Sequence, residues 1–210
     1  MEIYNKKILV LAPHTDDLEF GCGGTVHKLS KKNEIFSAAF SACMQSVRKN
    51  FPEDILISEV KKASKILGIK KQNLYLSDFE VRTFNYRRQE ILETILDLKK
   101  NIDPDIVFIP SLRDLHQDHS TIANEALRAF KFCSLLSYEL PWNNLNFNTN
   151  AFVTLSQKNI QKKIESIKVY KSQSHKSYSK PEFIMSLALT RGVQINTKYA
   201  ECFEVLRWKI

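Results

Sequence analysis

Short apolar runs alternate with longer amphipathic segments along most of this chain. The strand-like runs of the first two thirds are residues 8–12, 35–40, 74–76, 106–109 and 134–140. The first run has no polar alternation, which is typical of a parallel strand buried on both faces. Apolar residues at helical spacing lie between the runs, at residues 23–32, 55–67, 88–100 and 120–130. Strands alternating with helices predict a mostly parallel sheet.

The predicted fold class is therefore α/β, a Rossmann-like, mostly parallel sheet with helices on both faces and a site at the C-terminal edge of the sheet. Further along, residues 152–155 resemble a strand, and residues 157–170 and 181–191 resemble helices. Residues 203–208 alternate like an edge strand. The 210 residues suit one domain, and no linker or repeat divides them, so we expect a single domain over residues 1–210.

Composition narrows the class of protein and of partner. The chain is 43% hydrophobic and 26% charged, which is ordinary for a soluble globular protein. Its formal net charge is +8, but the lysines are dispersed as pairs such as Lys61-Lys62, Lys99-Lys100 and Lys162-Lys163. We interpret these pairs as solvated helix faces and expect no nucleic-acid partner. An anionic small-molecule substrate is a weaker inference from the same charge.

The N-terminal segment and the cysteines bear on location. The apolar run after Lys7 is too short for a secretory signal or a membrane span, so we expect no integral membrane segment. Cys22, Cys43, Cys133 and Cys202 are scattered without metal-binding spacing, which favours reduced thiols in a cytoplasmic protein. Core packing is the expected role of Cys22.

A polar cluster follows the first strand directly: His14, Asp16, Asp17 and Glu19. So many titratable groups at the mouth of a buried strand are costly to desolvate without a counter-charge, which a divalent cation would supply. His14 and Asp17 are ligand types that zinc accepts, and Asp16 is then free for chemistry. The alternative is an ordinary solvated loop.

A second cluster, residues 114–119, follows the strand predicted at residues 106–109 and contains Asp114, His116, Asp118 and His119. In open α/β sheets ligands bind at the C-terminal edge, so we expect one site built from both clusters. The glycines after the first strand do not match the dinucleotide-binding fingerprint, because Val26 stands where its third glycine belongs.

Together the clusters, His-x-Asp-Asp-x-Glu and later His-x-Asp-His, resemble the PIG-L/LmbE superfamily of zinc-dependent N-deacetylases. The likeness extends to Leu67-Gly68, Pro104-Asp105 and the segment Tyr170-Lys171-Ser172-Gln173. It implies a zinc-dependent hydrolase that removes an acetyl group from an N-acetylated amino sugar or a sugar-nucleotide glycan precursor.

The resemblance also implies roles for individual residues. His14, Asp17 and His119 would bind one zinc ion per chain, and another divalent transition metal remains an option. Asp16 would be the general base. His116 would stabilise the oxyanion or protonate the leaving amine. Asp118 would orient a histidine without binding the metal itself.

The chain departs from the family pattern at two positions. Thr15 replaces a proline after the first histidine, and Leu56 replaces an arginine three residues before Glu59. Arg48 and Arg82 are therefore the candidates for substrate binding. Outside the motifs, we expect structural or surface roles for His27 and His175, a structural role for Glu19 in the first helix, and a loop-shaping role for Asp114.

Three other functions compete with deacetylation of a sugar. They are a zinc amidohydrolase for another small N-acyl compound, a non-catalytic metal- or sugar-binding module, and magnesium-dependent phosphoryl transfer. Retention of Asp16 argues against a binding module, and the histidines favour zinc over magnesium. The sequence leaves the oligomeric state open, with a homo-oligomer among the options.

Overall fold

The computed structural model describes residues 3–209, and its strands form one mixed sheet. The strands are β1 Lys7–His14, β2 Glu34–Ser41, β3 Leu74–Leu76, β4 Ile106–Ile109, β5 Ser134–Tyr138, β6 Ala151–Leu155 and β7 Tyr199–Arg207. Their order within the described residues is β3-β2-β1-β4-β5-β7-β6. The strands from β3 to β5 in this order are parallel, whereas β7 runs antiparallel to both β5 and β6.

Helices cover both faces of the sheet. They are α1 Asp17–Leu29, α2 Ile55–Leu67, α3 Arg88–Ile102, α4 Gln117–Ala129, α5 Gln157–Lys168 and α6 Pro181–Val193. The sequence of β1 is continuously apolar because both faces of the strand are buried. Leu9 and Leu11 pack under α3 and α4, while Ile8 and Val10 pack on the opposite face under α1. The predicted α/β class with helices on both faces is confirmed.

The prediction of an edge strand near the C-terminus is wrong. Strand β7 lies between β5 and β6, and β6 forms the edge instead. The polar residues that gave the alternating pattern have partners inside the protein, since Glu204 accepts a hydrogen bond from Asn148 and Arg207 donates to the Phe130 carbonyl. The polar residues of this pattern are therefore paired with residues distant in the sequence.

Helices α1 and α4 both begin earlier than predicted. Helix α1 begins at Asp17, within the first polar cluster. It has a kink at Cys22, where φ is −145° and ψ is 21°. Gly21 stands just before the kink because a Cβ there would meet the ring of Tyr138. Helix α4 begins at Gln117, so its first turn carries the end of the second cluster.

A buried ion pair satisfies the backbone groups on either side of this kink. The Nζ of Lys163 lies 2.6 Å from Oε1 of Glu201 and donates to the Phe20 carbonyl at 2.7 Å. Glu201 accepts the backbone N–H groups of Gly24 and Thr25 at 3.0 and 2.6 Å. Lys163 is only 5% exposed, so the expectation that it lies on a solvated face is wrong.

The cysteines agree with the expectation of reduced thiols. All four cysteines are free thiols, and the Cys22 side chain packs in the core on the α1 side of the sheet. Over residues 3–209, no helix has the length and apolar character needed to cross a bilayer.

Replacing Lys163 tests the role of the buried pair. We expect Lys163→Met to lower the free energy of unfolding by about 3–5 kcal/mol, because Glu201 is left as an unpaired buried carboxylate. Urea unfolding followed by circular dichroism measures the change. Lys162→Met, which breaks a partly exposed pair with Glu165, is the matched control and should cost about 0–1 kcal/mol. Equal losses in the two variants would contradict the assignment.

Candidate active site

The two polar clusters meet at the C-terminal edge of the sheet. Strand β1 ends at His14, and its neighbour β4 leads into the loop and helix turn that carry Asp114 and His119. The strand order reverses its direction of winding at β1 and β4, which is the crevice where open α/β sheets bind ligands. Two clusters separated by about a hundred residues in sequence therefore form one site.

Three side chains form the centre of the site, which we call the inner triad: His14, Asp17 and His119. Nδ1 of His14 lies 3.1 Å from Nε2 of His119, and Oδ2 of Asp17 lies 3.3 Å from each of these nitrogens. A tetrahedral ion with bonds of about 2.0–2.1 Å has ligand atoms about 3.3–3.4 Å apart. The spacing of the inner triad therefore suits three ligands of one zinc ion.

His116 forms an alternative triplet with the same two histidines. One ring nitrogen from each of His14, His116 and His119 lies within 4.8 Å of the others. The rings of His116 and His119 stack, with centroids 4.7 Å apart. The donor atoms of the inner triad lie within 3.3 Å of one another, and its carboxylate would offset part of the charge of a cation.

Buried carboxylates fix the outer nitrogens of both triad histidines. Oδ2 of Asp118 lies 3.0 Å from Nε2 of His14, and Oδ2 of Asp114 lies 2.9 Å from Nδ1 of His119. Each histidine thus has one nitrogen held by a carboxylate and the other aimed at the centre, which is the usual arrangement behind metal ligands. Asp114 also accepts the backbone N–H of His116, so it shapes its loop and orients a histidine.

Asp118 ties a third loop to the site. It is fully buried and accepts the backbone N–H of Arg82 at 2.7 Å. Arg82 has a φ of 70°, in the left-handed region that non-glycine residues rarely adopt. The hydrogen bond to Asp118 stabilises this conformation and places the Arg82 side chain at the rim of the site.

The electrostatics of the inner triad favour positive charge at its centre. Burial disfavours an imidazolium, but Asp17 and Asp114 nevertheless raise the pKa of His119 to about 10. The pKa of His14 is also raised, since Asp17 and Asp118 outweigh the effect of burial. Burial likewise opposes ionised Asp17, yet both histidines hold its pKa well below its usual range. The carboxylates around the two histidines therefore favour a positive charge in the triad.

The pKa of His116 is shifted in the opposite direction to those of His14 and His119. Burial, and then repulsion from His14 and His119, lowers the pKa of His116 to about 4, so its ring is neutral near pH 7. Its Nδ1 accepts the backbone N–H of Asp118 at 3.2 Å. In the neutral ring the hydrogen therefore resides on Nε2, which makes that nitrogen a hydrogen-bond donor.

The triad opens into a cavity of about 310 Å³, which we call the site cavity. Its lining includes Asp16 and His116, and the exposed side chains of Arg48 and Arg82 lie on its wall. Leu56, at the position of the family arginine, lines the same cavity and is buried. The cavity has room for a small ligand beside the triad.

Sequence reasoning missed Lys176 on the cavity wall, and it left open whether the segment around Trp142 stacks against a sugar or is an ordinary surface turn. Lys176 places its Nζ 3.6 Å from Oδ2 of Asp16. Trp142, from a segment interpreted as a loop, stacks on Tyr178 with ring centroids 3.9 Å apart and an interplanar angle of 7°. Neither residue belongs to the motifs of the two clusters. The signal nearest to them is the segment Tyr170-Lys171-Ser172-Gln173, which comes shortly before Lys176 in the chain.

Other titratable residues occupy supporting positions. Glu19 is buried in the first turn of α1, and burial raises its pKa well above its ordinary value. Because the neutral form is favoured, Glu19 acts there as a packed polar residue. His27 is buried, with Nδ1 3.0 Å from Nδ2 of Asn159. His175 is exposed beside the cavity.

Comparisons with known proteins bear on the family of this chain. The family model described as PIG-L, GlcNAc-PI de-N-acetylase, matches residues 9–130. The uncharacterized deacetylase YaiS of Escherichia coli (strain K12) is 27% identical over 176 residues, which cover 80% of this chain and 91% of that protein.

Solved structures share the fold. N,N'-diacetylchitobiose deacetylase from Pyrococcus horikoshii superposes with a TM-score of 0.80 at 23% identity, covering 96% of this chain and 84% of that one. GalB, a 4-carboxy-2-hydroxymuconate hydratase from Pseudomonas putida KT2440, superposes with a TM-score of 0.79 at 20% identity, covering 98% of each chain. A deacetylase and a hydratase share this fold, so the fold alone does not determine the reaction.

The family model, in contrast, covers both polar clusters and more than half of the 210 residues. The chain belongs to the PIG-L, or GlcNAc-PI de-N-acetylase, family.

Proposed function

We propose that this protein is a metal-dependent N-deacetylase that hydrolyses the acetamide of an amino sugar or a sugar-nucleotide glycan precursor. The observation that carries the proposal is the inner triad, with donor atoms 3.1–3.3 Å apart, next to the Asp16 carboxylate on the site cavity. Membership of a de-N-acetylase family supports the same reaction.

His14, Asp17 and His119 would hold one zinc ion, and the same donors accept other divalent transition metals. When bound, such an ion polarises an acyl oxygen and lowers the pKa of water to about 7. Asp114 and Asp118 keep the two histidines in the tautomers that present Nε2 of His119 and Nδ1 of His14 to the metal.

Asp16 acts as the general base in this proposal. It precedes Asp17 at the start of α1, and the adjacent carboxylates serve separate roles: Asp17 contacts the two triad histidines and Asp16 lines the cavity. Asp16 takes a proton from the attacking water and then delivers it to the leaving amine. Its side chain lies beside Lys176, which offsets the charge of the ionised base.

His116 stabilises the oxyanion. The sequence left open whether it does this or protonates the amine, and the neutral ring with its hydrogen on Nε2 favours the first role. A donor held in place before the reaction lowers the barrier because it needs no reorganisation as charge develops on the acyl oxygen.

The cavity wall supports a sugar as the group that carries the acetamide. Trp142 and Tyr178 supply an aromatic wall, and Arg48 and Arg82 supply positive charge at the rim. We assign Arg48 and Arg82 to substrate binding, with a phosphate or carboxylate on the sugar as their partner. A small N-acyl compound without a sugar is the alternative substrate class.

Metal analysis tests the ligand set. Purified protein should contain about one zinc or similar ion per chain, and His14→Ala/His119→Ala should contain none. Asp17→Ala should also lose the ion, whereas His116→Ala should keep it, because His116 lies outside the inner triad. His175→Ala is the control for removal of an exposed histidine. Full occupancy in the double variant, or loss in His116→Ala, would contradict the set.

Asp16→Asn tests the base. The amide keeps the size of the side chain but cannot take a proton from water, so turnover should fall by about 10²–10⁴-fold. Zinc content should match that of the wild type, since Asp16 is not a ligand. Acetate release and metal content are the measurements. Normal acetate release would overturn the mechanism, and loss of zinc would mean that Asp16 and Asp17 have exchanged roles.

A substrate screen tests the reaction class. N-acetylated sugars, sugar nucleotides and N-acyl amino acids are incubated with the zinc-loaded protein, and free acetate is measured. We expect release from the sugar compounds. Release only from compounds that lack a sugar would establish the alternative substrate class.

A further inference from the structure

Lys176 is a partly buried cation whose position none of the motifs explains. Its side chain is 30% exposed, and its Nζ lies 3.6 Å from Oδ2 of Asp16. At this distance the two groups form an ion pair, but they are too far apart for a direct hydrogen bond. The ammonium also lies over the ring of Tyr178, 5.4 Å from the centroid. Lys176 thus lies between an aromatic face and the carboxylate assigned as the base.

The chain around Lys176 is fixed at several points. Before it, the Tyr170 hydroxyl donates to the Thr15 carbonyl at 2.6 Å, which ties this segment to the residue that precedes Asp16. Ser172 donates its hydroxyl to buried Glu59 at 2.6 Å. After it, Tyr178 stacks on Trp142. Lys176 therefore lies on a segment that is held by contacts on both sides.

Charge explains why an ammonium is stable there. Burial favours the neutral amine, but Asp16, followed by Tyr178, raises the pKa of Lys176 above its ordinary value. Arg48 and Arg82 are exposed at the rim, whereas Lys176 lies in direct ion-pair contact with the carboxylate. The cavity therefore has a cation at its wall next to Asp16 as well as cations at its rim.

We propose that Lys176 is a positioning residue for the reaction: its ammonium holds the Asp16 carboxylate toward the site cavity, in the orientation from which Asp16 acts on water. The proposal rests on the function proposed above, because it needs Asp16 as the base. Lys176 acts through Asp16, so its removal should change turnover and leave substrate binding largely intact.

The test is a double-mutant cycle with Lys176→Met and Asp16→Asn. Lys176→Met keeps the length of the side chain and removes its charge. We expect kcat to fall by about 10–100-fold, as for other residues that orient a group in a metal site, with KM changed by less than about threefold. In the Asp16→Asn background, Lys176→Met should produce no further loss, since residues that act as one unit are not additive. Lys168→Met, an exposed lysine of α5, is the control.

Three kinetic results would overturn the proposal. They are an unchanged kcat in Lys176→Met, a raised KM with normal kcat, and an equal loss of kcat in the Asp16→Asn background. The second would make Lys176 a substrate contact, and the third would make it independent of Asp16. Zinc content and the thermal unfolding midpoint of each variant should match those of the control.

Crystal structures provide a readout that does not depend on activity. In zinc-loaded Lys176→Met we expect the Asp16 carboxylate to leave the orientation seen in the wild type and in Lys168→Met. An unchanged Asp16 would overturn the positioning role even if no acetylated substrate is found. Failure of the proposed function would instead appear as absence of acetate release from the wild type, with Asp16 still displaced in Lys176→Met.

Discussion

The site depends on one constraint: His14, at the end of β1, and His119, in the first turn of α4, must each bring a nitrogen to the same point. Nδ1 of His14 and Nε2 of His119 are 3.1 Å apart. Asp118 and Asp114 hold the opposite nitrogens, and Asp17 lies between the inner ones. The three buried carboxylates stabilise positive charge on the histidines or on a bound cation. That charge in turn lowers the free-energy cost of burying the carboxylates.

The position of Asp17 in the site depends on β1 and on α1. Asp17 faces His14 and His119 because α1 begins shortly after β1, and α1 has a kink further along, at Cys22. The bend leaves backbone groups without helical partners, and the buried pair Lys163 and Glu201 supplies them. A salt bridge remote from the proposed chemistry therefore stabilises the helix that carries Asp17.

The sequence predicted what local patterns encode and missed what distant partners decide. Continuous apolar runs indicated the buried strands, and the two clusters after them indicated one site at the C-terminal edge, because parallel strands end at one edge. Lys163 was interpreted as a solvated lysine, since nothing nearby in the chain reveals Glu201. Lys176 was missed for the same reason, and β7 was misplaced because its polar residues are paired inside the protein.

X-ray absorption spectroscopy at the zinc edge tests the central claim most directly, because it counts the ligands of the bound metal. The inner triad predicts two imidazoles, with the remaining donors oxygen at about 2.0–2.1 Å, and a spectrum that does not change in His116→Ala. A spectrum with three imidazoles that loses one in His116→Ala would place His116 on the metal and contradict the proposed roles of Asp17 and His116.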